Sequence, residues 1–405
     1  MLFLKMAFRN IFRQKRRTFF TALTMIGGFA LACISIGWAD GSYNNIIGMF
    51  TRGWLGHIQI HYKDYLDKPS IYKTIDNYNE IGKKIMEIKG VKSWTARVYS
   101  AGLASFKDKT SGVSIIGIDP EKEDKTTDFH KKIINGDYFK AGVKNQVLIG
   151  KGLAKIIKAK AGDKIILVSQ AADGSMANDI FTVSGIVSTD DDLFDRTSFY
   201  MKLDDAREFL VLGNKVHEIA VTVDKLKEVK KIDKKISLVL KNTDLSVASW
   251  QEFAKDFYKA MKADKGGMWI SLFVIILVVA VGVLNTILMS VLERIREYGV
   301  LKALGTRPGD IILLVLYEAN IIAVFSIFIG AIIGFAVNYY LSLHGIHLSQ
   351  SFTYGGMKFS EIMTEINLRS FIIPGITVLL TTVIVGFFPA LKAAKTDPAK
   401  SLRFH

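Results

Sequence analysis

The densest group of chemistry-bearing residues lies between two long apolar runs. Within 292–310 stand Glu293, Arg294, Arg296, Glu297, Tyr298, Gly299, Leu301, Lys302, Gly305 and Arg307. The segment is amphipathic and mixed in charge. Ile295, Tyr298, Leu301 and Leu304 recur at helical spacing and predict one apolar stripe, and Pro308 resets the chain before the next run. Such a helix can lie in a membrane interface, or it can be a knob that a partner protein grips. The residues alone leave both readings open. Glu318 stands about two turns into the apolar run that follows. An ionisable group there either snorkels to the headgroups or faces protein or water. Gly330 and Gly334 form a small-residue pair at G-x-x-x-G spacing, and Gly27-Gly28 gives a second small surface; both permit close helix approach, within or between subunits.

The remaining candidates offer less. His57 and His61 share one face of an alternating stretch, and His344 and His347 share a short loop. Neither pair has a nearby Cys or carboxylate to complete a metal site. Asp190-Asp191-Asp192 reads as a solvated turn. Gly150-Lys151-Gly152 lacks the spacing and the Ser/Thr of a phosphate-binding P-loop; G-x-S-x-G, H-E-x-x-H and paired C-x-x-C are missing too. The expectation is a chain that is not an enzyme and holds no cofactor or metal. Gln170–Asp179, with Gln170, Asp173, Gly174, Ser175, Met176 and Asn178, predicts an exposed hairpin loop: a plain turn, or a docking loop for a soluble partner.

The elements that must position these residues are membrane spans. The chain has 405 residues, half of them hydrophobic, and the mean hydropathy is +0.26. A few apolar spans joined to one polar domain account for that mixture. The hydropathy predicts transmembrane helices over 18–39, 268–291, 311–340 and 371–390. Pro374 and Gly375 fall early in the fourth. A cleaved signal peptide competes for the first run, but the apolar stretch continues past Cys33 to Trp38. Cys33 is the single cysteine, so no intrachain disulfide forms.

The net charge of +15 raises nucleic-acid binding. Its sharpest cluster, Lys5, Arg9, Arg13, Lys15, Arg16 and Arg17, abuts the first span and reads instead as a topology signal. Basic residues also mark 292–310 and 391–405, including Lys392, Lys395, Lys400 and Arg403, whereas the loop over 341–366 carries only Lys358. The positive-inside rule then puts segment 1–17, the 292–310 loop and the tail in the cytoplasm. Residues 40–267 and the 341–370 loop lie outside, in the periplasm of a cytoplasmic (inner) membrane protein.

Residues 40–267 read as mixed α/β. Strands are predicted over 57–61, 113–118, 147–149, 164–168, 180–187 and 218–223, and helices over 75–89, 152–159, 226–240 and 251–265. Residues 42–50 continue the first helix. No repeat or low-complexity tract interrupts the domain.

Taken together, these residues resemble a known family. Arg9-Asn10-Ile11 ahead of the first span, the run Glu293-Arg294, Glu297, Gly299, Lys302, Ala303 and Gly305, Glu318, and the ending Pro389-Ala390-Leu391-Lys392-Ala393-Ala394 with Asp397-Pro398 and Leu402-Arg403 are similar to the MacB/FtsX-like permeases of ABC transporters. Gly56-His57-Ile58-Gln59-Ile60, Gly117-Ile118-Asp119-Pro120 and Leu148-Ile149-Gly150-Lys151-Gly152-Leu153-Ala154 with Gly162-Asp163 resemble its lipoprotein-releasing LolC/LolE branch. The resemblance implies a dimer of this chain with itself or a related permease. It implies a separate cytoplasmic ATPase, carrying the ATP and Mg, that grips the 292–310 helix. The outer domain would then be moved by mechanotransmission, and acylated lipoproteins would be drawn from the outer leaflet for a periplasmic carrier; the apolar spans one and two could line a lateral cleft that admits their acyl chains. Efflux with a periplasmic adaptor, or FtsX-like regulation of a cell-wall hydrolase, are the other activities the family offers.

Overall fold

The computed structural model describes residues 2–13, 15–354 and 357–397. Its helices are α1 (Leu2–Arg13), α2 (Lys15–Phe50), α3 (Tyr78–Met86), α4 (Pro120–Thr127), α5 (Lys151–Ile157), α6 (Leu203–Phe209), α7 (Val229–Val239), α8 (Trp250–Phe253), α9 (Lys255–Glu293), α10 (Ile295–Ala303), α11 (Pro308–His344) and α12 (Arg369–Ala394). Its strands are β1 (Ile58–Tyr62), β2 (Val91–Phe106), β3 (Lys109–Ile118), β4 (Ile133–Gly136), β5 (Gln146–Gly150), β6 (Lys164–Gln170), β7 (Met176–Val187), β8 (Ser198–Lys202), β9 (Glu218–Val223), β10 (Leu245–Ser249), β11 (Ile346–Tyr354) and β12 (Met357–Ile362). They fall into two compact units, a helical one and an α/β one. The basic-tail residues Lys400 and Arg403, and Pro398 and Leu402 of the family-like ending, lie outside the described residues.

The α/β unit is built on a ten-stranded mixed sheet in the order β10-β1-β9-β2-β3-β8-β5-β7-β4, with β6 pairing β2 and β7. Most neighbours are antiparallel; β3–β8 and β5–β7 are parallel. Local chemistry sets several boundaries. Asp119 caps α4 by accepting from the Glu121 and Lys122 amides, with Pro120 as the first helical residue. Gly82 of α3 lies against the Trp94 ring of β2, where a Cβ would come within 2.2 Å of the indole. Ile58, Ile60, Ile115, Ile219, Val221 and Phe199 are sealed in the core.

The helical unit contains four helices long and apolar enough to cross a membrane: α2, α9, α11 and α12. Large apolar side chains such as Phe20, Ile270, Phe273, Phe328 and Phe388 are exposed on them, as lipid-facing surfaces require. Their contacts with one another run through small residues. A Cβ on Gly330 would meet Phe29 Cδ1 at 2.9 Å, and one on Gly334 would meet Cys33 Sγ at 2.9 Å. The Gly330/Gly334 pair therefore seats α11 on α2 within this chain. Gly28 faces Val279 of α9, whose Cγ2 lies 2.0 Å from a hypothetical Cβ, whereas Gly27 faces open space.

Two segments carry structure that the sequence reading left unassigned. The basic segment 1–17 contains α1, which turns Ala7 inward to full burial and leaves Leu4, Phe8 and Phe12 exposed one turn apart. The 341–370 segment is not a plain loop: β11 and β12 pair within it. His344 and His347 part there, His344 stacking on Tyr340 and His347 pairing with Glu361 at 3.1 Å.

Candidate functional site

The charged segment between α9 and α11 forms a short helix bolted to the helical unit at both ends. α9 stops at Glu293 because Arg294 leaves helical geometry (φ −106°, ψ 17°). α10 closes in a Schellman turn: the Gly305 amide donates to the Lys302 carbonyl and the Thr306 amide to that of Leu301, with Gly305 at φ +92°. Pro308 then opens α11 as its first residue.

Arg294 is the first bolt. Its Nη1 donates to both oxygens of Glu318 at 2.9 and 2.8 Å, and its Nε donates to Glu297 Oε2 at 2.8 Å. Asn10 Nδ2 of α1 donates to Glu318 Oε1 at 2.6 Å. Glu318 therefore faces protein, and its desolvation is offset by charge-assisted hydrogen bonds. Arg294 is 9% exposed and lies over the Tyr298 ring. Burial opposes its charge, but Tyr298, Glu318 and Glu297 more than compensate and hold the guanidinium above its ordinary pKa. Arg13 reaches Glu297 at 3.0 Å, but with 74% of its side chain in solvent that pair contributes little.

Lys302 is the second bolt. Its Nζ donates to the carbonyls of Ala394 and Thr396 at 2.9 and 2.8 Å, satisfying the last turn of α12, where the helix dipole favours a cation. Between the bolts Tyr298 is fully buried among Ala7, Met25, Ile311, Leu314 and Ala390, and Leu301 packs on the same cluster.

These contacts divide the predicted coupling set. Arg294, Tyr298, Gly299, Leu301 and Lys302 point into their own unit and Glu297 is tied to Arg294, while Glu293 and Gly305 are exposed. The predicted apolar stripe breaks at Leu304, which is 80% exposed: steps of three residues fall short of a full helical turn, so position 304 lies about 120° around the helix from Tyr298. The outward face of α10 is Arg296, Val300, Ala303 and Leu304, none of them except Arg296 charged. Sequence reasoning missed Asn10 and Arg13 as members of this constellation; the basic character of 1–17 hid the helix that carries them.

The predicted partner loop is shorter than expected. β6 extends through Gln170 and β7 begins at Met176, so Gln170, Met176 and Asn178 lie on strands. The turn is Ala171–Ser175, where Asp173 Oδ1 accepts from the Ser175 amide and hydroxyl and Gly174 takes φ +86°. The Ala172 amide donates to the Leu210 carbonyl, which ties the turn to the domain. Met176 is 77% exposed beside it.

Residues 18–238, more than half of the chain, match the MacB-like periplasmic core domain, and residues 269–398 match the FtsX-like permease C-terminal domain. The chain belongs to the MacB/FtsX-like family of ABC transporter permeases. The permease is 23% identical to the lipoprotein-releasing system transmembrane protein LolC of Neisseria meningitidis serogroup B over 98% of this chain and 97% of that protein. It is 26% identical to the ABC transporter permease MJ1507 of Methanocaldococcus jannaschii over 98% and 96% of the two chains. Among solved structures, the periplasmic region of MacB from Actinobacillus actinomycetemcomitans aligns at 15% identity with a TM-score of 0.36, over 49% of this chain and 91% of that one. Permeases of this family are membrane subunits that work with an ATPase and a second permease, and the four apolar helices of this chain accord with that place. Among the described residues no group of three or more His, Cys, Asp or Glu is placed to hold a metal.

Proposed function

We propose that the permease releases acylated lipoproteins from the outer leaflet of the cytoplasmic membrane, driven by a separate cytoplasmic ATPase that pushes on α10. In this reading both termini and α10 are cytoplasmic and the α/β domain is periplasmic. The observation that carries it is an apolar groove of about 280 Å³ between α2, α9 and α12. Ala32, Ile36, Leu272, Ile276 and Val378 line it. Thr377 and Thr381 are its two threonines, and the Thr377 hydroxyl donates to the Ile373 carbonyl. Such a predominantly apolar surface suits an acyl chain, each buried methylene of which favours an apolar site by about 0.8 kcal/mol. That figure is also the work per methylene that removing the chain from lipid demands, which is why release needs ATP. The driven element is α10: bolted at Arg294 and Lys302, it cannot be displaced without moving α11 and α12.

The test is release of a fluorescent triacylated lipopeptide from proteoliposomes containing the permease and its ATPase. Thr377→Trp fills the groove. Release should fall at least tenfold while ATP hydrolysis persists; undiminished release would remove the groove from the mechanism.

A further inference from the structure

A second cleft, of about 850 Å³, lies wholly within the α/β unit and has no part in the reading above. Its walls include Phe50, Leu55, Tyr65, Leu66, Phe253 and Phe257, and its floor is polar: Gln59 and His61 of β1 and Glu218 of β9. All three floor residues are buried.

The floor has an unusual hydrogen-bond geometry. His61 Nδ1 lies 3.1 Å from the His217 carbonyl oxygen, so it carries the proton and donates. His61 Nε2 lies 3.2 Å from Gln59 Oε1 and 3.6 Å from Glu218 Oε2. The Gln59 amide cannot turn to help, because its Nε2 donates to the Leu55 carbonyl. Both ring nitrogens of His61 thus face acceptors. His217 differs: it accepts from the Tyr99 amide at Nδ1 and donates to the Ile71 carbonyl from Nε2, a neutral tautomer with each position matched.

Glu218 is half satisfied. Arg97 Nη1 donates to its Oε1 at 2.8 Å, while the same guanidinium makes two bonds to Glu123. Glu218 Oε2 accepts no hydrogen bond from the described residues. Burial pulls the His61 imidazole below its ordinary pKa, against the attraction of Glu218. Glu218 Oε2, Gln59 Oε1 and His61 Nε2 converge at the end of an aromatic and aliphatic cleft, and with the ring neutral all three are acceptors.

A primary ammonium has three N–H donors and one positive charge, and aromatic walls tolerate a cation. We propose that this cleft binds an amphiphile with a primary ammonium head, the ammonium seated on Glu218 Oε2, Gln59 Oε1 and His61 Nε2 in competition with a proton on His61. Carboxylates and phosphates are disfavoured by Glu218, and a neutral alcohol brings a single donor and no charge to the three acceptors. The other groups facing His61 are Tyr65, stacked on its ring at 4.9 Å, Arg97 and Tyr99 from β2, and Ser246 of β10, whose hydroxyl reaches the His61 carbonyl. Lys255 and Asp256 line the same cleft with opposite charges.

The experiment titrates n-hexylamine into the full chain in phosphatidylcholine nanodiscs by calorimetry, with n-hexanol as the uncharged control, while NMR of labelled histidine follows the protonation of His61. Hexylammonium should bind saturably where hexanol does not. Its affinity should fall about tenfold for each pH unit below the His61 midpoint seen in the same spectra, as competition for one site by a proton requires. Glu218→Gln should weaken binding at least tenfold, and His61→Phe, which keeps the stack on Tyr65, should bind with affinity independent of pH. Where Glu218→Gln disturbs folding, His61→Phe alone decides. Loss of hexylamine binding in nanodiscs containing phosphatidylethanolamine would identify a lipid head as the source of the ammonium; undiminished binding there would identify a soluble amine. Equal binding of hexanol and hexylamine, absence of saturable binding, or affinity unchanged through the His61 titration would overturn the assignment.

Discussion

Replacing Glu318 by leucine tests how α10 is held. The substitution leaves the buried Arg294 guanidinium with one carboxylate, that of Glu297, whose side chain is 38% exposed, and it removes the acceptor of Asn10. Breaking a buried ion pair from one side costs about 3–5 kcal/mol. Because Glu297 remains, the low end applies, about 3 kcal/mol. That loss falls on the docking of α10, and at about 1.4 kcal/mol per decade it corresponds to a rise of about a hundredfold in the local opening constant. Hydrogen exchange of the permease in nanodiscs reads this directly: amides of α10 should exchange about a hundred times faster, while those of the α/β sheet keep their rates. The double variant Arg294→Met/Glu318→Leu leaves no orphaned charge and should recover at least half of the loss. A change in α10 exchange of less than threefold in the single variant, or a double variant no better protected than the single one, would refute the view that this pair holds the helix.

Three further outcomes follow from the geometry. Gly28→Ala should lower the thermal unfolding midpoint of the full chain, at a cost of about 1–3 kcal/mol, since its Cβ would lie 2.0 Å from Val279 Cγ2; Gly27→Ala, with nothing within 4 Å, should be neutral or slightly stabilising. Leu304→Asp, on the outward face of α10, should leave that midpoint within the range of an ordinary surface change, about 0.5 kcal/mol, yet weaken capture of the ATPase in pull-down at least tenfold. Lys132 of the α/β domain has its ammonium sealed from solvent without a hydrogen-bond partner, and burial pushes its pKa down to about 8. The folded state therefore binds this proton less tightly than the unfolded chain, so stability rises with pH between about 8 and the ordinary lysine value near 10.4. Lys132→Met should raise the unfolding midpoint at pH 7, with a gain of up to about 3 kcal/mol that vanishes above pH 10.5, checked by melting curves at the two pH values.

The spans and much of the α/β domain could be read before any coordinates because their signals are local. Hydropathy marks α2, α9, α11 and α12, and β9 coincides with the expected Glu218–Val223. β2 escaped because it does not alternate. It is flanked by β3 on one side and by β9 and then β6 on the other, with a register shift between Val91 and Ser93, so its inward residues form a continuous run. The β11–β12 hairpin was overlooked although the sequence carries a two-residue hairpin signal, Gly355-Gly356, between Phe352-Thr353-Tyr354 and Met357. The site was found by its mixed charge and by Pro308, but the direction of its side chains was not. Asn10 and Glu318 are 308 residues apart, and Lys302 meets carbonyls 92 and 94 residues away; no periodicity encodes such contacts. The Leu304 error has a local cause, since successive three-residue steps drift around a helix of 3.6 residues per turn and carry the last member of the stripe off the buried face.

The central claim is that α10 presents its outer face to an ATPase while its inner face is fixed to the permease. Site-specific photo-crosslinking in the native membrane tests it most directly, with a benzophenone side chain placed at Leu304 in one variant and at Leu301 in another. The account predicts an adduct with a P-loop ATPase from position 304, identified by mass spectrometry, and from position 301 an intramolecular product at most. An ATPase adduct from 301 as strong as that from 304, or none from 304 with or without nucleotide, would contradict it.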